Sequence, residues 1–407
     1  MVLPEVCDVI FSPVVEEVLP SSTESLPVGR SGHCCCTDGS YLYVYGGYNP
    51  EPHTSLHLEE NNLHPGLIVI PNREVLIELW IFHIASRRWT LVQRPLIPEA
   101  AASSCMVRFG RHLLVFGGSV FAYGGMMSNS LHVCSLHDMT WSVVDCGGAY
   151  TDYPPKAYGQ SVTVVQNEML YVFGGSVNLY MAPVSDLHRI NLRSNRHQRN
   201  WERLNPGGEV PRGRYKHEMV EYDNRLYLFG GGQFSNAEGL DCVHVYCIDH
   251  NYWALEETMP DENNGFPKSR KYFGCAQRDN IVIICGGEHP KSEALDDLWT
   301  LDLNQLQWRR LNCSLPKPIY FHRVALTPSG KLYIYGGIVG DSERTSKLLS
   351  VQIFFPKLSE LSWERLTEHF HSLHQRTRSE LQMLGIPPSF LHRLERPKLG
   401  SLVELRQ

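Results

Sequence analysis

A glycine doublet recurs along this chain at near-regular intervals, each time closing a short apolar segment. The doublets are Gly46-Gly47, Gly117-Gly118, Gly174-Gly175, Gly230-Gly231, Gly286-Gly287 and Gly336-Gly337, so successive units are offset by 71, 57, 56, 56 and 50 residues. The residues before them read YLYVY, HLLVF, MLYVF, RLYLF, IVIIC and KLYIY. A tryptophan usually follows within the same period, at Trp141, Trp201, Trp253 and Trp308, with Trp89 delayed by an insertion. A repeated unit of this length cannot bury its own faces and has to stack on its neighbours. Stacking makes one body out of the whole array, whatever number of domains the length of 407 residues alone would suggest.

Each unit reads as four short strands, the plan of a propeller blade. A period of about 50 residues with this content is the kelch signature. In the fifth unit the strands fall near 272–278, 281–287, 296–302 and 307–311. The second strand is continuously apolar because neighbouring blades cover both of its faces. The two glycines let the chain turn sharply and approach the next strand closely. The third strand repeats a motif: Glu78-Leu79-Trp80, Asn129-Ser130-Leu131, Asp186-Leu187-His188 and Asp297-Leu298-Trp299. The fourth-strand tryptophan is expected to wedge between blades. The predicted fold is therefore all-β, a six-bladed kelch β-propeller over 30–355 with a short C-terminal α-helical tail.

Two departures from the repeat are informative. An insertion at about 49–76 in blade one, with Pro50, Pro52, Pro65 and Pro71, is expected to be a long surface loop. Blade six has three strands, ending near Phe355, and no clear fourth. Residues 8–17 (DVIFSPVVEE) hold a spare strand, so the segment 1–29 is expected to complete blade six and leave no open edge. Beyond Phe355 the pattern turns helical, with Leu358, Leu361, Ser362, Leu366, Phe370 and Leu373 near one stripe. Thr377 with Glu380 has the form of a capping box, and Gly385 ends that second helix. Pro387 and Pro388 suit the start of a third helix running to about Arg396, which Pro397 stops. The tail thus spans 356–396, and 397–407 is read as disordered.

Composition excludes several classes. A net charge of -6 gives no basic footprint for nucleic acid. No apolar run has the length of a membrane span, and residues 1–25 lack the charged start and apolar core of a signal peptide. Among the twelve cysteines no CxxC pair occurs. Cys34, Cys35 and Cys36 are consecutive, so in a strand they face opposite ways and cannot share one metal. They are read as reduced cysteine serving as a small apolar residue, which fits the cytoplasm and the nucleus. There is no nucleophile elbow, phosphate loop or HExxH, and the nineteen histidines are scattered. No catalytic residue, metal or cofactor is expected.

The segments that lead into the first strand of each blade are expected to line one mouth of the central channel. They read Arg30-Ser31-Gly32-His33, Ala101-Ala102-Ser103-Ser104, Ala157-Tyr158-Gly159-Gln160, Arg214-Tyr215-Lys216-His217, Arg270-Lys271-Tyr272-Phe273 and Ile319-Tyr320-Phe321-His322. Cationic and aromatic groups from several blades converge there; the blade-two segment is plain. Arginine offers a planar fork for carboxylates and lysine a point charge. The candidate substrate-binding set is Arg30, Ser31, Tyr158, Gln160, Arg214, Tyr215, Arg270, Lys271, Tyr320 and His322, suited to an anionic peptide group such as a chain terminus. The competing reading is that arginine and histidine, Arg30, His33 and His217 above all, brace neighbouring blades.

The tail carries a second candidate site. Leu358, Ser362 and Leu366 have the Leu-x3-small-x3-aliphatic spacing of the box that docks elongin C, all on one helix face. The usual box has Cys at the middle position and Ser, Thr or Pro ahead of the Leu, where this chain has Ser362 and Lys357. Further on, Ile386, Pro387, Phe390 and Leu394 follow the spacing of the box that selects cullin-2. A helical cap packed on blade six by Trp363 is the competing reading.

Together these stretches resemble the kelch-repeat substrate receptors of cullin-2 ubiquitin ligases. The resemblance covers about 28–396 and is carried by RSGH at 30–33, VYGGYNP at 44–50, AYGQ at 157–160, DLH at 186–188, RYKHE at 214–218 and GFP at 265–267. The run from Tyr320 to Ile338, LSWERL at 361–366 and LGI at 384–386 also fit. It implies a non-catalytic receptor for C-terminal degrons ending in Gly, including Ala-rich tails, with elongin B/C and cullin-2 as partners. In related receptors an Arg after a Gly doublet and a hydroxyl at the blade-five lead-in clamp the terminal carboxylate. Here the loop after Gly230-Gly231 (GQFSNAEGL) has no Arg and blade five offers Lys271. Those roles do not transfer directly; Arg214, Arg270 and Lys271 are the substitutes by charge and position. The alternative is a kelch-repeat scaffold for cytoskeletal or signalling proteins.

Overall fold

The computed structural model describes residues 13–50, 74–92, 97–147, 149–178, 183–195, 198–370, 373, 376–391 and 393. The body is six blades of four antiparallel strands set around an axis, the fourth blade with a short parallel edge strand at Gly207–Gly208. In blade one the strands run outward in the order Cys34–Thr37, Tyr41–Tyr45, Leu79–His83, Arg88–Val92. The innermost strands of the next five blades are Cys105–Phe109, Ser161–Val165, Glu218–Tyr222, Gly274–Arg278 and Arg323–Leu326. The last of these contacts Cys34–Thr37, which closes the ring. The fold is an all-β propeller with a short helical tail.

The glycine doublets are where one blade accepts the next. Both glycines have positive φ in every blade, from 52° at Gly230 to 110° at Gly47. The second glycine of each doublet donates its N–H to the carbonyl that begins the following blade's lead-in. The six bonds are Gly47 to Ala101 (3.0 Å), Gly118 to Ala157 (3.1 Å), Gly175 to Arg214 (2.9 Å), Gly231 to Arg270 (3.0 Å), Gly287 to Ile319 (2.8 Å) and Gly337 to Arg30 (2.7 Å). A Cβ on the first glycine would meet that same carbonyl, at 2.2 Å for Gly46 and 2.6 Å for Gly174. The doublet is therefore required by blade stacking as well as by the turn.

The tryptophans form the outer part of the same joint. Trp89 packs on Tyr335, Trp141 on Tyr45, Trp201 on Phe116, Trp253 on Phe173 and Trp308 on Phe229, with centroids 5.2–6.3 Å apart. Each partner is the last residue of the preceding blade's second strand. Blade five is the exception, because Cys285 stands there in place of an aromatic. The blade that would pack on it has no tryptophan.

That blade, the sixth, takes its outer strand from the chain start. Strand β1 (Val15–Glu17) pairs antiparallel with Leu348–Gln352, Val15 opposite Val351 and Glu17 opposite Leu349. Val15 packs into the cluster that holds Cys285. Lys347 adds an ion pair to Glu17 at 2.7 Å. The bulk of the blade-one insertion, 51–73, the first part of the spare strand and 397–407 lie outside the described residues.

The tail folds as α1 (Leu358–His369), α2 (Arg378–Met383) and α3 (Pro388–Leu391). The Thr377–Glu380 capping box is formed. Gly385 leaves α2 with φ of 77°. Trp363, Leu373, Leu381, Ile386, Phe390 and Leu391 make a small core that packs against Ala85 of blade one. Arg393 clasps Glu360 through two bonds of 2.6 and 2.9 Å, and a ring nitrogen of His83 lies 2.9 Å from the Arg393 carbonyl. Glu364 reaches Lys331 of blade six at 3.4 Å. The buried side of α1 is Trp363 and Thr367, while Leu358, Leu361 and Phe370 of the sequence stripe are exposed.

Candidate functional site: the channel mouth and the tail

The third residue of every lead-in is left-handed. The φ values are 62° at Gly32, 56° at Ser103, 69° at Gly159, 56° at Lys216, 59° at Tyr272 and 58° at Phe321. In all but Tyr272 this turn aims the residue's N–H at the carbonyl of its counterpart in a neighbouring blade. Ser103 bonds to Gly32 (2.8 Å), Gly159 to Ser103 (2.9 Å), Lys216 to Gly159 (2.8 Å), Phe321 to Tyr272 (2.8 Å) and Gly32 to Phe321 (3.2 Å). The junction between blades four and five carries a side-chain link, Tyr215 hydroxyl to Tyr272 hydroxyl at 2.7 Å. A hoop of five main-chain bonds and one side-chain bond thus rims the channel. Its sequence signal was slight: glycine at this register in blades one and three only.

The hoop sorts the lead-in residues by position. First-position side chains turn away from the mouth into their own blade. Arg30 donates to the Gly46 carbonyl (3.0 Å) and pairs with Glu78 (3.0 Å). Arg270 donates to the Gly286 carbonyl (3.0 Å) and forks onto Asp297 at 2.6 and 2.9 Å. Arg214 donates to the Gly230 carbonyl (3.3 Å), with Glu238 at 3.8 Å. All three are buried. The expectation that Arg30, Arg214 or Arg270 faces a ligand is corrected: each closes its blade's doublet turn, Arg30 and Arg270 with a bonded carboxylate and Arg214 with Glu238 at 3.8 Å.

Fourth-position side chains wedge between blades. A Cβ on Gly336 would meet His33, one on Gly174 His217 and one on Gly286 His322, all within 2.6–2.8 Å. Gln160 occupies the same place over Gly117. Burial drives the His322 imidazole down to about 3, with Arg323 adding to the fall. His33 and His217 are likewise lowered by burial and then by a neighbouring arginine. These rings are neutral packing groups, so the assignment of Gln160 and His322 to the mouth is also corrected.

Second and third positions build the mouth itself. Tyr158 and Tyr215, edge to face at 6.0 Å, form a buried back row. In front of them Tyr272 stacks on Phe321 at 3.9 Å and lies 6.4 Å from Tyr320. Phe234, in the loop after the blade-four doublet, packs on Tyr215 at 6.0 Å and stays 42 % exposed. Lys271 sits between the Tyr215 and Tyr272 rings and donates to the Phe234 carbonyl at 2.9 Å and the Gln233 carbonyl at 3.3 Å. Ser31 bonds to the Tyr48 carbonyl at 3.3 Å. Blades four to six thus give an aromatic half, and Gly32, Ser103 and Gly159 leave the opposite half low.

Sequence reasoning passed over the floor of the mouth. Lys216 and Phe321 border a water-sized cavity of about 10 Å³ together with Glu218, Tyr272 and Arg323. Arg323 is paired with Glu218 across the channel. Beyond that pair lies a cavity of about 120 Å³, lined by Cys34, Cys105, Cys275 and Ser161 among others. Burial pushes the Cys105 thiol up to about 12 and raises Cys34 and Cys275 as well. These thiols are protonated and act as small apolar side chains. Among the described residues no group of three His, Cys, Asp or Glu is placed to hold a metal ion.

Three overlapping segments, 15–231, 103–337 and 186–385, match the KLHDC2/KLHL20/DRC7 Kelch-repeats domain. Kelch domain-containing protein 10 of Homo sapiens is 36 % identical over 375 residues, covering 91 % of this chain and 80 % of that protein. This chain is a kelch-repeat protein of that family. Its counterpart in Xenopus laevis is 36 % identical, covering 91 % of this chain and 86 % of the frog protein. The Drosophila melanogaster homolog is 29 % identical over 391 residues, covering 90 % and 62 % of the two chains.

In this kelch-repeat chain the tail residues divide between surface and core. Leu358 is 79 % exposed at the start of α1, and Leu361 is exposed beside it. Ser362 is exposed, with its hydroxyl donating to the Leu358 carbonyl at 2.9 Å. Leu366 is half-buried against the tail core. Ile386 and Phe390 are buried, Phe390 stacked on Trp363 at 4.9 Å, whereas Pro387 is exposed. An assignment of Ile386 and Phe390 as free contact residues is corrected: they hold the tail together. Leu394 lies outside the described residues.

Proposed function

We propose that this kelch-repeat protein is a non-catalytic substrate receptor of a cullin-2 ubiquitin ligase. The propeller mouth takes the C-terminal end of a protein that finishes in Gly, Ala-rich tails included. The tail docks elongin B/C and, through it, cullin-2; ubiquitin transfer takes place on other subunits. The observation that carries the reading is α1. Trp363 and Thr367 already anchor it, yet it presents Leu358 at 79 % exposure. A packed cap has no use for an exposed leucine on its first turn, whereas a partner groove has. The aromatic mouth supports the other half, since a polypeptide end needs an apolar wall and a polar floor. Buried thiols serving as apolar side chains support a reducing compartment, the cytoplasm and nucleus.

The test is capture of elongin C by the full chain. Leu358→Asp places a charge in an apolar groove, at a cost of about 2 kcal/mol or more. It should abolish capture and leave the melting temperature unchanged. A folded Leu358→Asp variant that still captures elongin C removes the receptor assignment and leaves a kelch-repeat scaffold.

A further inference from the structure

The cations of the mouth differ in whether they already have partners. Arg30 and Arg270 are held by Glu78 and Asp297, and Arg323 by Glu218, while Arg214, turned into its own blade, has Glu238 at 3.8 Å and an Nη2 that makes no hydrogen bond among the described residues. Lys271 gives its protons to two carbonyls. Lys216 is 6 % exposed, yet among the described residues its ammonium makes no hydrogen bond and no ion pair. Its stem lies along Gly159 of blade three, where a Cβ would meet Lys216 Cδ and Cε at 3.3 Å. Its head lies 5.1 Å from the centroid of the Phe321 ring in blade six. Blades three and six face each other across the ring, so a lysine rooted in blade four carries its ammonium to the middle of the mouth. It does so from a backbone φ of 56°, a conformation that disfavours a side chain of this kind. A strained lysine only 6 % exposed, whose ammonium meets a ring face and no protein acceptor among the described residues, marks a place for an anion.

We infer that Lys216 is the residue that receives the terminal carboxylate of a bound polypeptide, at the floor of the mouth beside Phe321. This rests on the reading that the mouth takes a chain end; it assigns the contact that the buried arginines cannot make. The low half of the rim, Gly32, Ser103 and Gly159, gives the last residues their path down to the ammonium. Those residues must be small, because Phe321 and Tyr272 stand directly opposite. Lys216, Arg323 and Glu218 leave one net positive charge at the floor, which one carboxylate neutralises.

The experiment is titration of the full chain with a labelled peptide ending in Ala-Ala-Gly and with its C-terminally amidated twin. The wild-type protein should prefer the free end by about tenfold or more, the scale of a buried charged contact. In Lys216→Met the two peptides should bind alike, with the amidated peptide unaffected. Lys271→Met should keep the preference. If Lys216→Met retains the wild-type preference, the carboxylate sits elsewhere and the inference is wrong while the chain-end reading stands. If the wild-type protein itself does not distinguish the peptides, both fail. A readout that needs no variant is reductive methylation followed by mass spectrometry. The free-ended peptide should protect Lys216 and the amidated one should not; equal labelling with the free-ended peptide bound overturns the assignment.

Discussion

Burial brings the Lys216 ammonium from an ordinary 10.5 down to about 7, Arg323 adding to the fall and the Glu218 carboxylate opposing it. On unfolding the group returns to its ordinary value. Between about 7 and 10.5 the unfolded chain therefore binds a proton that the folded one does not, and stability rises with pH across that window. Below about 7 both states hold the proton and the cost of burying the charge is fully present. Lys216→Met should accordingly raise the melting temperature at pH 6.5, with the gain shrinking towards pH 9, as thermal melts across that range would show. The same titration acts on binding with the opposite consequence: preference for a free carboxylate should fall as pH rises from 6.5 to 9. Tyr272 and His322 face the same cavity but stay neutral through this range, Tyr272 raised and His322 lowered by burial. Arg270 behaves differently. Arg270→Met removes a fully buried guanidinium and leaves the partly buried Asp297 carboxylate without its partner, which should destabilise the propeller by about 3 kcal/mol in denaturant titration. In whatever fraction folds, the preference between free and amidated peptides should persist.

At the scale of the blade, packing explains what the sequence announced and what it concealed. The doublets and tryptophans were legible because each meets the same obligation in every joint, so the requirement repeats with the period. Trp253→Ala removes a buried ring from its seat on Phe173 and should cost about 3–5 kcal/mol, measurable by equilibrium unfolding. The lead-ins were harder to read, because four adjacent residues serve three purposes. Arg270 braces its own blade, Phe273 wedges into the joint with the preceding blade, and Lys271 and Tyr272 face the mouth. Direction there is set by the left-handed third residue, and the sequence marks that conformation only where it is Gly32 or Gly159. Charge and position alone therefore favoured the arginines and passed over Lys216. The tail misled for a related reason. Ile386 and Phe390 fit a partner box by spacing, but a short helical unit has to build its own core first, and these are among its few large apolar side chains.

The molecule as a whole is closed at a single place where the chain's beginning and end of the repeat meet. Blade six owns three strands, and β1 supplies the fourth through its pairing with Leu348–Gln352. Deleting residues 1–20 should lower the melting temperature and expose the edge of Leu348–Gln352 to association. An unchanged melting temperature in a monomeric truncation would show that the ring holds without this strand. The rim has another implication. Its width rests on five main-chain bonds and the Tyr215–Tyr272 link, whereas on the proposed reading its selectivity would depend on which side chains stand at 103, 216, 272 and 321, glycine holding 32 and 159. Every one of those residues sits in the left-handed region, where glycine is the default, so the side chains of Ser103, Lys216 and Phe321 can be lost without breaking a bond of the frame, whereas the Tyr272 hydroxyl holds the junction of blades four and five. If the mouth receives chain ends as proposed, its clientele can change one residue at a time while its aperture stays the same.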